Sequence, residues 1–273
     1  MINKTISLSE KYTNAILTTY VPGDDPELCT SPRPAMIVCP GGGYKNLSAR
    51  EAEPIALRYL ASGIAAFLLY YTVEPIDNPY TPVIEAGLAI KHVREHAAEY
   101  HVDPDKIFIC GFSAGGHLAG SAGSLWSRPE VVAAMGDAPY GINKPTGTVL
   151  CYPVISGVDH PHIGSFKRLL GNENPSEEEL RSFSLELNVT EDTVPSFIWH
   201  TFEDKTVPVE NAIKYAQALR AKNIPFELHI YPYGPHATGL GNYETWCGKD
   251  CNVRAEIETW AGLSATWVKG FKA

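Results

Sequence analysis

Lys106-Ile-Phe-Ile-Cys-Gly-Phe-Ser-Ala-Gly-Gly-His-Leu-Ala-Gly120 is the stretch on which the reading of this chain turns. Ile107 to Cys110 is a short apolar, β-branched and aromatic run, as in a buried strand, and it stops at Gly111. Gly111-Phe-Ser-Ala-Gly115 then fits G-x-S-x-G, and the small residues that follow suit a helix packed closely on a sheet. A serine hydroxyl is a weak nucleophile unless it is held out beside a base, at a point where negative charge is stabilised. A sharp strand-to-helix turn holds Ser113 out, and glycines on either side leave room for strained backbone angles. The helix that starts there aims unpaired N–H groups at the reacting oxygen, and the Ala114 N–H is the donor expected to count. The competing reading is an ordinary glycine-rich turn, so the partners of the serine decide.

Outward from this stretch, apolar runs alternate with amphipathic ones. Residues 2–8 and 12–21 alternate polar and apolar, which predicts an antiparallel hairpin at a sheet edge. Residues 22–34, rich in Pro, Asp and Ser, read as a loop. Ala35 to Cys39 reads as a buried strand that ends in Pro40-Gly-Gly-Gly-Tyr44. Ser48 with Glu51 three residues on has the form of a capping box, predicting a helix with Ala52, Ile55, Ala56, Tyr59 and Leu60 inward, stopped by Gly63. Strands follow at 64–71, 148–155, 196–201 and 226–231. Helices are expected at 83–100, 176–183 (with Ser176 and Glu179 as a second capping box), 209–222 and 253–271. Strands alternating with helices of this length imply a largely parallel sheet covered on both faces. We expect one domain over 1–273, with residues 156–195 a short insert that has room to lie over the site's mouth.

Composition narrows the function. The chain has 273 residues, 44% of them hydrophobic and 19% charged, with a net charge of −9. Nothing in this suggests a nucleic-acid or anionic-membrane surface, and an acidic field disfavours strongly anionic substrates. The N-terminus lacks the apolar core of a signal peptide and no run approaches the ~18 apolar residues needed to span a bilayer, so a cytoplasmic location is expected. Of the six cysteines, Cys39, Cys110 and Cys151 lie in apolar strand runs, and the Cys247–Cys251 spacing fits neither C-x-x-C redox chemistry nor a zinc knuckle; free thiols are expected.

A serine nucleophile needs a base, and the base needs an orienting carboxylate. Among the nine histidines, His236 lies in Tyr231-Pro-Tyr-Gly-Pro-His-Ala-Thr-Gly239, a loop after the last strand from which an imidazole can reach over the sheet edge. Asp204 follows the preceding strand in Glu203-Asp-Lys-Thr-Val-Pro208. Both fall just beyond strand carboxyl ends, where open α/β sheets bind their ligands.

In the order Ser113, Asp204, His236, and in P-G-G-G-Y, G-F-S-A-G-G-H, Y-P-V-I-S, E-D-K-T-V-P-V and G-P-H, the chain resembles an α/β-hydrolase of the esterase/lipase kind over nearly its full length. In particular, these motifs resemble those of small bacterial acetyl esterases of the acetylxylan-esterase type. The resemblance implies the α/β-hydrolase fold, with a mostly parallel sheet, an N-terminal antiparallel hairpin and no separate cap domain. It also implies attack by Ser113, proton transfer by His236 and orientation by Asp204. Gly42 and Gly43 would join Ala114 in an oxyanion hole. No metal or organic cofactor is implied, the partner is a small acylated substrate such as an acetylated sugar, and a homodimer rests on resemblance alone. Pro40 stands where the larger lipase group has histidine, so the hydrogen bond that steadies this loop must come from elsewhere.

Each role has rivals. Glu203 adjoins Asp204, and His117 lies one helical turn beyond Ser113, where a rigid helix suits it for hydrogen bonding better than for proton transfer. His160 and His162 flank Pro161 in an H-x-H pattern without a third ligand, as in an exposed loop, and His200 ends an apolar strand as a core residue would. Tyr44, His117, Trp126, Tyr233 and Trp246 are candidates for substrate contact. The leading expectation is a serine esterase that removes short acyl groups, acetyl above all, from sugars. An amide or formamide hydrolase on the same residues, and a non-catalytic binding protein on a hydrolase scaffold, are the alternatives.

Overall fold

The computed structural model describes residues 1–23, 27, 32–249 and 252–272. The N-terminal hairpin forms as expected, β1 (Thr5–Ser7) pairing antiparallel with β2 (Ile16–Tyr20), and β2 pairs antiparallel with β4 (Ala65–Tyr70). From there the sheet is parallel through β3 (Arg33–Cys39), β5 (Val102–Phe112), β6 (Gly147–Cys151), β7 (Ser196–Thr201) and β8 (Phe226–Tyr231). The order across its eight strands is β1-β2-β4-β3-β5-β6-β7-β8. The parallel strands are apolar on both faces because helices cover both.

On one face α1 (Glu53–Ala61) and α8 (Ala255–Gly270) bury Ile55, Tyr59, Trp260 and Val268 against Met36, Phe108, Phe112 and Trp199. The Trp199 and Trp260 rings stack with centroids 5.4 Å apart. On the other face α2 (Thr81–Glu95), α3 (Ala114–Ser124) and α7 (Glu210–Ala221) cover Ile37, Ile109, Leu150 and Ile198. A short α4 (Pro129–Ala133) follows α3. Cys39, Cys110 and Cys151 are free and buried; Cys29 and Cys251 lie outside the described residues, as does most of the 22–34 stretch.

Two differences from the sequence reading bear on the site. Ser48 does not cap a helix: residues 49–51 form one 3-10 turn and α1 starts only at Glu53, with Pro54 in its first turn. The cause is Glu51, whose carboxylate turns into the protein instead of back to the Ser48 backbone. The insert between β6 and β7 holds, besides α6 (Glu177–Ser182) with its Ser176–Glu179 capping box, an unforeseen helix α5 (Ile163–Leu169).

Candidate active site

Ser113 stands at the end of β5 with φ 54° and ψ −116°, a backbone conformation that costs a non-glycine residue energy and turns its side chain away from the sheet. Neighbouring backbone holds it there: the Ser113 N–H donates to Cys151 O at 3.0 Å, and Ser113 O accepts from Val154 N and His117 N. The flanking glycines are required by space. A Cβ on Gly111 would lie 1.9 Å from Gly115 O, and one on Gly115 would lie 2.3 Å from Cys39 O.

His236 Nε2 lies 2.8 Å from Ser113 Oγ, and His236 Nδ1 lies 2.6 Å from Asp204 Oδ2. Asp204 Oδ1 accepts the backbone N–H groups of Thr206 and Val207, both at 2.9 Å. Burial alone would raise the Asp204 carboxyl, but hydrogen bonds from His200 and His236 outweigh it and hold the acid well below the usual carboxylate range. An ionised Asp204 accepts the Nδ1–H, which leaves Nε2 of a neutral His236 free to accept the Ser113 proton. His200 belongs to this group: its Nε2 is shared between Val207 O (2.9 Å) and Asp204 Oδ2 (3.2 Å). Glu203 does not reach His236; its Oε2 accepts from Gly234 N in the loop that carries the histidine.

Gly42 (φ 132°) and Gly43 (φ 66°) line the cavity with Ser113 in backbone conformations that other residues rarely adopt. Among the described residues the N–H groups of Gly42 and Gly43, which line the cavity, have no acceptor, and the Ala114 N–H, in the first turn of α3, has no intrahelical one. The support that histidine would give at residue 40 comes from two other side chains. Tyr71 Oη donates to Pro40 O at 2.6 Å, and the Gly41 N–H donates to Glu51 Oε2 at 2.9 Å. Glu51, buried to 1% exposure, also accepts from Tyr152 Oη at 2.7 Å, and Tyr152 Oη accepts from Gly239 N at 3.0 Å. The Tyr152 ring stands against His236 with centroids 5.1 Å apart. One buried carboxylate thus ties the glycine loop to the loop of His236. Its only sequence signal was S-x-x-E, read as a helix cap.

The substrate-contact expectations need correction. His117 is 1% exposed; its Nε2 donates to Phe183 O at 2.8 Å and its Nδ1 accepts from Tyr44 Oη at 2.9 Å, and burial lowers its pKa to about 4. Tyr44 is equally buried, turned inward by its positive φ, so this pair supports the glycine loop from behind. Trp126 lies beyond the far end of α3 and packs on Tyr140, with its N–H on Asp192 O. Tyr233 is exposed, and Trp246 stacks edgewise on Tyr243; neither lines the cavity. His162, taken from sequence for an exposed loop residue, does line the cavity, with Nδ1 2.8 Å from Ser165 Oγ. Burial and the nearby His236 hold its pKa below the usual imidazole range. The cavity itself, about 360 Å³, opens between the glycine loop, α5 and the His236 loop. Among the described residues no three His, Cys, Asp or Glu side chains gather as metal ligands.

The BD-FAE family model matches residues 24–140, and that of the prolyl oligopeptidase family matches residues 158–250. The crystal structure of an acetyl ester-xyloside bifunctional hydrolase from Caldicellulosiruptor lactoaceticus superposes with a TM-score of 0.81 at 34% identity, covering 97% of this chain and 95% of that one. Endo-1,4-beta-xylanase B of Butyrivibrio fibrisolvens is 37% identical over 240 residues, which are 85% of this chain and 36% of the relative. The acetylxylan esterase of Xylanibacter ruminicola is 31% identical over 231 residues, 83% of this chain and 45% of the relative. The chain therefore spans less than half the length of these two enzymes. A strained serine between a parallel strand and a helix, a hydrogen-bonded histidine from the last βα loop, and relatedness across almost the whole of solved hydrolases together mean that this chain belongs to the α/β-hydrolase superfamily.

Proposed function

We propose that the chain is a serine carboxylesterase that removes short acyl groups, acetyl first, from sugars or oligosaccharides. The observation that carries this reading is the hydrogen-bonded line from Asp204 through His236 to Ser113, 2.6 Å and 2.8 Å, opening on a cavity edged by unpaired backbone donors. Ser113 Oγ attacks the acyl carbon while His236 Nε2 takes its proton. The oxyanion falls to the Ala114, Gly42 and Gly43 N–H groups, each such donor contributing roughly 3 kcal/mol to the transition state. His236 then protonates the departing alcohol, and water deprotonated by the same nitrogen releases the acid from acyl-Ser113. The preference for a sugar ester is supported by the activities for which the xylanase, acetylxylan esterase and acetyl ester-xyloside hydrolase relatives are named. The preference for a short acyl group is supported by an insert too small to cover a long apolar chain, with α5 and α6 of seven and six residues.

Amide hydrolysis on the same residues is a second reading, favoured by the prolyl oligopeptidase match over the segment that carries Asp204 and His236. Initial rates on p-nitrophenyl acetate through octanoate, on acetylated xylo-oligosaccharides and on N-formylkynurenine separate the readings. Expected are rates that fall with acyl length and acetate release from the oligosaccharides. Rates that climb towards octanoate overturn the short-acyl proposal, and turnover of the formamide in preference to every ester moves the assignment to amides.

A further inference from the structure

The chain carries a net charge of −9, yet the cavity in front of Ser113 is lined by three cationic side chains, Lys45, Arg50 and Arg168, and one carboxylate, Glu51. That carboxylate is buried and both its oxygens are taken, by the Gly41 N–H and the Tyr152 hydroxyl. Two of the cations are held by the loops that flank the serine. Arg50 Nη1 donates to Ala237 O at 2.9 Å, next to His236, and its other nitrogens have no partner among the described residues. Arg168 Nη1 donates to Gly43 O at 3.2 Å, at the glycine loop, while its Nε pairs with Glu74 at 2.8 Å, leaving Nη2 free. Lys45 is exposed and forms no ion pair among the described residues. Backbone contacts thus fix one guanidinium group beside the residue that follows His236 and the other on Gly43 itself, with donors still open. Such a pair binds a carboxylate or phosphate in preference to a neutral hydroxyl. The lining of this cavity thus departs from the acidic balance of the chain as a whole.

We infer that the ester this site takes carries a negative charge on its alcohol part, as an acetylated sugar acid or sugar phosphate does, and that Lys45, Arg50 and Arg168 bind that charge. The inference rests on the esterase reading: an acetyl group is uncharged, so the anion must sit on the alcohol. The test compares acetate release from acetylated glucuronic acid and acetylated glucose 6-phosphate with release from acetylated glucose, at low and high salt, alongside p-nitrophenyl acetate. At low salt kcat/KM is expected to favour at least one anionic substrate by about tenfold, and the advantage to shrink in molar salt. Preference for the uronate alone assigns a carboxylate, and preference for both assigns any compact anion. The ratio of anionic to neutral kcat/KM should collapse towards one in Lys45→Gln and Arg50→Gln, and persist in Arg50→Lys, which keeps the charge. An equal or better neutral substrate, or a ratio untouched by the glutamine variants, overturns the inference while p-nitrophenyl acetate turnover leaves the esterase reading standing. Should no ester be turned over, binding to Ser113→Ala decides: tighter binding of the acetylated uronate or sugar phosphate than of acetylated glucose supports the anion site, and equal binding overturns it.

Discussion

Asp204→Asn is expected to lower kcat/KM on p-nitrophenyl acetate by about 10⁴-fold, less than Ser113→Ala does, with the double variant no worse than Ser113→Ala alone. The reason is the way the carboxylate is held. Asp204 Oδ1 accepts two backbone N–H groups, from Thr206 and Val207, while Oδ2 faces His236 Nδ1 and His200 Nε2. In asparagine the amide oxygen must take the Oδ1 position, because only an oxygen can accept there, and the NH₂ group then points at His236. It donates to Nδ1, so the imidazole proton moves to Nε2, where it confronts Ser113 Oγ as a donor instead of an acceptor. The geometry survives and the base is lost. Fluorophosphonate labelling checks the same point without turnover: Ser113 should label quickly in the native protein, slowly in Asp204→Asn and not at all in Ser113→Ala. Failure of the native protein to label at neutral pH would favour a binding protein on a hydrolase scaffold. A wild-type rate in Asp204→Asn would mean that Asp204 does not set the tautomer.

What the sequence disclosed, and what it withheld, divides along physical lines. Ile107 to Cys110 and Ile198 are buried on both faces, so their runs read as parallel strands. Asp204 and His236 follow strand ends directly, and a strand end fixes where its loop starts, so their convergence on Ser113 was visible. The direction of a loop side chain depends on backbone angles that leave no periodic trace. Tyr44 looked outward from sequence and is turned into the core at φ 57°. His162 looked solvated and lines the cavity, because α5 is seven residues long, has no side-chain cap and leaves too short a pattern to detect. The two S-x-x-E sequences are the sharpest case. Ser176 and Glu179 bond to each other's backbone at an exposed helix start, where nothing competes. Glu51, in the same pattern, is buried beside an N–H and a phenol that need an acceptor, and they win it.

Glu51→Ala should therefore be costly twice over. It strands the Gly41 N–H and the Tyr152 hydroxyl, both buried, and a buried unpaired polar group costs on the order of 1–3 kcal/mol, so a stability loss of about 3 kcal/mol is expected in urea. The kinetic effect follows from what those groups hold. Gly41 sets the positions of the Gly42 and Gly43 donors, and Tyr152, through Gly239 N and its ring contact, sets that of His236. A displacement near 1 Å at such groups costs about 10²-fold in rate, and because donors and base act on the transition state the loss should fall on kcat with KM little changed. Glu51→Gln separates position from stability. Its amide oxygen can still accept from Gly41 N–H while its NH₂ donates to the Tyr152 oxygen, so most of the activity should return with only the phenol proton left unpaired. A Glu51→Ala enzyme that unfolds more easily but keeps its native kcat would show that the carboxylate supports the fold and does not align the site.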